Sequence, residues 1–268
     1  MSVAFKGGRS LRPCPSARDV LSARLDAKPF AGLTALVTGA SGDIGGAIAL
    51  ALGDLGAAVC VVARRAPALE TLAARAIPGS PPMLVHPADL TLDHEIARLA
   101  ERVHGELKRL DVLVHSAGVI AFGTHESAAT GDFDLQYRAN VRAPYVLTKA
   151  LLPLLKPPPG QIVFISSTAA LHVRAGLGQF AATQHAFRAL ADTLRDEVNE
   201  VGIRVLSVYP GRTATERQAK IFAGEGRVYR PELLLQPEDI AAMVTAALRL
   251  PRTAEVTDIK IRPLTKSY

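Results

Sequence analysis

The chain has 268 residues, 49% of them hydrophobic and 21% charged, with a formal net charge of +6. That length suffices for one large α/β domain with a substantial core and does not force a second. No apolar run approaches the roughly 18–20 residues a bilayer-spanning helix needs, and the two cysteines, Cys14 and Cys60, argue against a disulfide framework and fit a reducing, cytoplasmic setting. The charge is uneven. Residues 1–30 hold Lys6, Arg9, Arg12, Arg18, Arg24 and Lys28 against Asp19 and Asp26. The remainder is close to balance, which does not suggest a nucleic-acid surface. The basic segment lacks the apolar stretch of a secretory signal and reads as a solvated tail, with an organellar transit peptide as the alternative.

From Leu33 onward, short β-branched runs alternate with longer helical patterns. Residues 33–38, 58–63, 83–86, 111–115, 161–166, 203–209 and 256–261 read as strands, most of them apolar on both faces. Helical patterns fill the intervals at 44–56, 67–76, 94–107, 131–155, 179–200 and 237–250. Such alternation predicts a Rossmann-type doubly wound parallel sheet of about seven strands with helices on both faces. The proline clusters at 78–82 and 156–160 mark loops between elements, and no repeat is present, so residues 31–268 read as one domain. Cys60, inside the second strand, reads as a buried core thiol.

Thr38-Gly39-Ala40-Ser41-Gly42-Asp43-Ile44-Gly45 follows the first strand and opens the first helix. Gly39 permits a tight turn, Gly42 lets backbone N–H groups approach a pyrophosphate, and Gly45 allows close helix–strand packing. Farther on, the segment Gln161–Gln184 ends a strand in Ser166-Ser167, passes through a loop carrying Gly176, and opens a long helix with Phe180-Ala-Ala-Thr-Gln184. Together these segments resemble the short-chain dehydrogenase/reductase family over about Leu33 to Pro263. The resemblance implies a single-domain oxidoreductase fold that binds a nicotinamide dinucleotide through Gly39, Ser41, Gly42, Asp43, Ile44 and Gly45. Asp43 stands where most single-domain members have a glycine, and an acid beside phosphates is tolerable only if its carboxylate points away. Asp89 and Leu90 match the family's adenine-contacting pair. His115-Ser116-Ala117-Gly118 matches its Asn-Asn-Ala-Gly segment, so His115, Ala117 and Gly118 join the expected cofactor contacts, with a structural role favoured for His115. Pro210, Gly211, Thr213 and Thr215 match the segment that holds the nicotinamide carboxamide. Ala63 replaces the NAD-selective acid, and Arg64 and Arg65 follow, which favours NADP(H).

The family's catalytic frame is present with its two chemical residues replaced. By resemblance, Ser167 orients a carbonyl and Asn140 supports a proton relay. Phe180 occupies the position of the Tyr acid, and Gln184 that of the Lys which lowers the Tyr pKa and bonds the nicotinamide ribose. Phe180 has no proton to give and Gln184 no charge, although its amide can bond a ribose hydroxyl. His172 and Arg174 lie in the intervening loop, where His172 is a minor candidate for a substitute acid. His185 is expected to face away, and Tyr137 and Tyr145 to be packing residues. Basic residues such as Arg217 and Lys220 flank a flexible 212–235 segment, the family's substrate lid. The readings left open are a weakened NADP(H)-dependent reductase acting on a small molecule, a redox-neutral isomerase, cyclase or lyase, and a silent partner of an active paralogue. The family's assembly implies a homodimer or homotetramer, with no nucleic acid or membrane as partner.

Overall fold

Strands that are apolar on both faces must be covered on both, and the computed structural model, which describes residues 28–156 and 158–265, shows how the chain does this. The strands are β1 (Thr34–Thr38), β2 (Ala58–Ala63), β3 (Leu84–Pro87), β4 (Val112–His115), β5 (Gln161–Ile165), β6 (Arg204–Pro210) and β7 (Asp258–Ile261). They form one seven-stranded sheet in the order β3-β2-β1-β4-β5-β6-β7, and every neighbouring pair is parallel. The strand order reverses between β1 and β4. That places a crevice at their carboxyl ends.

Successive strand residues face opposite ways, so β1 sends Ala35 and Val37 into one core and Leu36 into the other. The helices are α1 (Asp43–Asp54), α2 (Ala66–Ala73), α3 (Asp93–Glu106), α4 (Thr130–Tyr137), α5 (Ala143–Leu155), α6 (Gly178–Val198), α7 (Glu216–Gly224) and α8 (Pro237–Leu248). Ile48 and Leu52 of α1, Leu69 of α2, and Ile240 and Val244 of α8 close the first core. Ile96 and Val103 of α3, Leu147 and Leu151 of α5, and Phe187 of α6 close the second. Each fully buried large side chain of this kind contributes about 1.5–3 kcal/mol. Cys60 is buried in the second core, and burial pushes its thiol pKa up to about 12, so it behaves as a small apolar residue.

The structure departs from the sequence expectations in four places. Strand ends move by one or two residues, as for β3 and β7. The expected 131–155 helix is divided by a wide π-helical turn at Arg138–Arg142. Pro144 explains this, because it has no N–H to give to the carbonyl of Asn140 four residues back. The segment expected to be a flexible lid contains α7, whose N-cap Thr215 accepts a hydrogen bond from the Gln218 N–H. Finally, packing reaches back into the 1–30 tail. Phe30 is buried against the first core, and its N–H donates to the Leu55 carbonyl at 2.8 Å. Cys14 and the basic cluster up to Arg24 lie outside the described residues.

Candidate functional site

A cavity of about 640 Å³ occupies the crevice at the carboxyl ends of the strands, within the range typical of small-molecule sites. Its first half is built by backbone. Gly39 has φ +67°, and a Cβ there would sit 2.6 Å from the Ala117 nitrogen. A Cβ on Gly45 would sit 2.4 Å from the Gly39 carbonyl oxygen, so the turn between β1 and α1 closes only on glycine. Gly42 is the N-cap of α1 and offers no side chain to the first-turn N–H groups, which leaves them available to an anion. Ser41, Gly42, Asp43, Ile44 and Gly45 line the cavity. Thr38, not singled out from sequence, joins this turn to β4. Its hydroxyl accepts from the N–H groups of Ser116 and Ala117 at 3.1 and 3.2 Å.

Asp43 resolves its awkward position by pointing across the cleft, where its carboxylate accepts the Glu216 N–H at the start of α7 at 3.1 Å. On the other side of that helix start, the Arg217 guanidinium donates to the Gly118 carbonyl at 2.8 Å. The lid carries its own small core beyond this point. Phe222 is buried between the guanidinium groups of Arg212 and Arg227, 4.7 and 5.1 Å from its ring centre, with Tyr229 edge-on at 5.7 Å. Arg212 also forks onto both Glu225 oxygens at 2.9 and 3.0 Å.

At the end of β2, Ala63 and Arg64 line the cavity, whereas Arg65 caps α2 outside the lining. Asp89 and Leu90 line it as well. Burial alone would raise the Asp89 carboxyl pKa. Its two hydrogen bonds from Thr91, helped by the charge of Arg64, carry it below its ordinary value. Ala117 and Gly118 line the cavity, but His115 does not. His115 faces the second core, where its Nε2 pairs with the Thr148 hydroxyl at 2.8 Å and its ring packs 5.1 Å from Phe164. Burial pushes its pKa down to about 3, so it is a neutral core histidine and its place among the cofactor contacts is corrected. Pro210, Gly211, Thr213 and Thr215 line the far wall, with the Thr215 hydroxyl oxygen already used as the α7 cap.

The second half is built by side chains. Ser167 caps a short 3-10 turn by accepting the Ala169 N–H at 3.1 Å, which leaves its hydroxyl proton available. Phe180 and Gln184, one turn apart on α6, both line the cavity with Ser166 and Ser167. The buried Gln184 amide oxygen accepts from Ser166 Oγ at 3.0 Å. Asn140 is fully engaged. Its Oδ1 accepts the Val119 N–H at 2.8 Å, and its Nδ2 donates to the Val119 carbonyl at 2.9 Å and to Thr183 Oγ1 at 3.1 Å. Sequence reasoning missed Thr183 and Ser166, the partners that hold this pair in place. His172 and Arg174 are exposed and outside the lining, so the loop does not bring His172 to Phe180. His185 turns back onto the Ala181 carbonyl at 2.9 Å. Tyr137 and Tyr145 are about half exposed, contrary to their expected packing role. No tyrosine, histidine or cysteine lines the cavity, and no cluster of metal-ligating side chains occurs among the described residues.

A sequence profile of the short chain dehydrogenase family matches residues 33–226. The chain is 32% identical over 241 residues to the glycine betaine reductase of Emericella nidulans, an alignment covering 88% of this chain but 19% of that protein. It is 30% identical over 234 residues to an uncharacterized short-chain type dehydrogenase/reductase of Sinorhizobium fredii, covering 85% of this chain and 90% of that one. Among solved structures, a metagenomic short-chain oxidoreductase in complex with NADP superposes with a TM-score of 0.77 at 29% identity, covering 88% of this chain and 99% of that one. Sheet order, glycine turn and profile agree, and the chain belongs to the short chain dehydrogenase family and carries its oxidoreductase fold.

Proposed function

We propose that this protein binds NADP(H) in the cleft and is an oxidoreductase acting on a small molecule, with an active site that lacks the usual acid. The observation that carries the reading is the contrast along one cavity: a glycine-built anion site and Arg64 at one end, Phe180 and Gln184 at the other. The bare first turn of α1 fits a diphosphate, and Ala63 followed by Arg64 fits a ribose 2′-phosphate better than a free 2′-hydroxyl. A solved relative held with NADP supports the same cofactor here.

When bound, NADPH supplies a hydride. The protein's own residues then do the following. Gly39 to Gly45 would seat the diphosphate, Arg64 would bond the 2′-phosphate, and the free end of the Gln184 amide would bond a nicotinamide-ribose hydroxyl. Ser167 donates its hydroxyl proton in a hydrogen bond to a substrate carbonyl oxygen. With Phe180 beside it, the proton that completes a reduction comes from solvent. General acid catalysis by a positioned group is worth about 10²–10⁴-fold, so simple ketones should turn over slowly. The absence of a titratable tyrosine or histidine from the lining also favours, as a second reading, a redox-neutral isomerase, cyclase or lyase reaction in the same cleft.

Calorimetric titration with NADPH and NADH tests the cofactor. Tighter NADPH binding is expected, and equal affinity for both, or none for either, would sink the reading. A turnover screen with ketone, imine and enone substrates separates reductase from redox-neutral chemistry. We place the protein in the cytoplasm, in keeping with the reduced, buried Cys60. We expect a homodimer or homotetramer, supported by the exposed Phe133 and Tyr137 on α4 and Tyr145 on α5. Light scattering that returns a monomer at micromolar concentration removes that assignment.

A further inference from the structure

Arg217 lies at the lid start, where contacts reach both lips of the crevice. Its backbone neighbour Glu216 is held by Asp43 at the first residue of α1, and its own guanidinium rests on the Gly118 carbonyl beyond β4. These two anchors flank the reversal of strand order between β1 and β4, where the anion-binding start of α1 opens. The guanidinium has five N–H donors and spends one on a neutral carbonyl. Of the nearby acids, Glu216 is taken by Lys220 at 2.7 Å and also faces Arg65. Asp43 attracts Arg217 while its Oδ2 accepts the Glu216 N–H. The Arg217 side chain lines the cavity and stays solvent-exposed there, with the charge of Asp43 nearby. The arginine thus lines the same cavity as the glycine turn and spends its hydrogen bond on a neutral acceptor.

Resting on the cofactor reading above, we propose that Arg217 is a lid-borne clamp for the dinucleotide's diphosphate, and that Asp43 latches the lid by holding the Glu216 N–H. In this chain the lid therefore supplies a charge contact to the cofactor, at the opposite side of the diphosphate from the glycine turn. It compensates for Gln184, which offers the nicotinamide half a neutral amide and no charge. Asp43 works in two directions. Its hydrogen bond keeps α7 down, while its charge competes with the diphosphate for Arg217.

The test compares the full-length wild type with Arg217→Met, Arg217→Lys and Asp43→Asn, using NADPH and adenosine 2′-monophosphate as probes. The second probe carries the 2′-phosphate but no diphosphate. Charge-assisted contacts of this kind set the scale, so Arg217→Met should weaken NADPH on the order of tenfold or more and leave the 2′-monophosphate unchanged. Arg217→Lys should recover part of the loss, as a point charge without the planar fork. Asp43→Asn, which keeps an acceptor for Glu216, should tighten NADPH a few-fold. NADPH affinity unchanged in Arg217→Met overturns the clamp, and so does equal weakening of both probes. If the wild type itself binds no NADPH, the cofactor reading fails, whereas binding that ignores Arg217 fails the clamp alone.

Discussion

The two halves of the cleft are made in different ways. The diphosphate half is backbone closed on itself, where Gly39 and Gly45 leave no room for a Cβ. The other half is a network of side chains: Asn140 on Val119 and Thr183, and Ser166 on Gln184. The difference shows how the frame around Phe180 and Gln184 is held by contacts that are structural in themselves. Asn140 braces the loop after β4 against α6, so its presence is accounted for by the fold and does not by itself argue for catalysis. The glycine turn closes β1 onto α1 without a Cβ and also leaves the first-turn N–H groups of α1 open to an anion. Its geometry is what a diphosphate requires.

That contrast can be broken first at the backbone. Gly45→Val drives a side chain into the Gly39 carbonyl, and overpacking of this type costs about 1–3 kcal/mol or more. NADPH binding should be abolished while circular dichroism reports whether the sheet survives; a variant that binds like wild type would show the turn is not the anion site. The side-chain half is addressed by Phe180→Tyr combined with Gln184→Lys. NADPH-dependent reduction of simple ketones should rise on the order of 10²-fold, the usual scale of a positioned general acid. Tyr alone should give less, because its phenol then keeps a pKa near 10. A double variant that binds NADPH but gains no ketone reduction would mean that the substrate half has diverged beyond these two positions.

Arg64→Ala should erode the preference for NADPH over NADH by about tenfold, with the melting temperature little changed, since Arg64 is exposed at the strand end. A preference that survives would move the 2′-phosphate contact elsewhere. The smallest effect near neutrality belongs to His115. Its pKa of about 3 in the fold lies below the ordinary 6.5, so the unfolded chain takes up a proton that the folded one refuses. Stability is therefore fullest above pH 6.5 and is lost as pH falls toward 3, with a slope approaching about 1.4 kcal/mol per unit from this group. His115→Asn should flatten the denaturation midpoint against pH in that window. An unchanged slope would remove His115 as its source.

Much of the fold was legible because period and length decide it. The β-branched runs, apolar on both faces, gave seven parallel strands, and Gly39 and Gly45 carried their own steric reason. What escaped was tertiary or too short to show a period. The π-helical turn needed the pairing of Pro144 with the Asn140 carbonyl to be noticed. Helix α7 had a readable start, Thr215 with Gln218 three residues on, but sat in a segment taken for loop. His115 was placed at the cleft by its position in a motif, whereas strand alternation sends it to the opposite face with Leu113. The direction of the Asp43 carboxylate could not be read from the chain, because its partner Glu216 is 173 residues away.

The stacked lid has a kinetic consequence. Because Phe222 is held between Arg212 and Arg227 and the Arg212 fork grips Glu225, the segment is packed as one ordered unit. Its start is tied to the cleft by the hydrogen bonds to Asp43 and Gly118. Closing it orders little that was not already ordered, so the entropy cost of capture is small. Release of a dinucleotide held beneath it would then be a gating event, timed by how often the Asp43 and Gly118 contacts let go together.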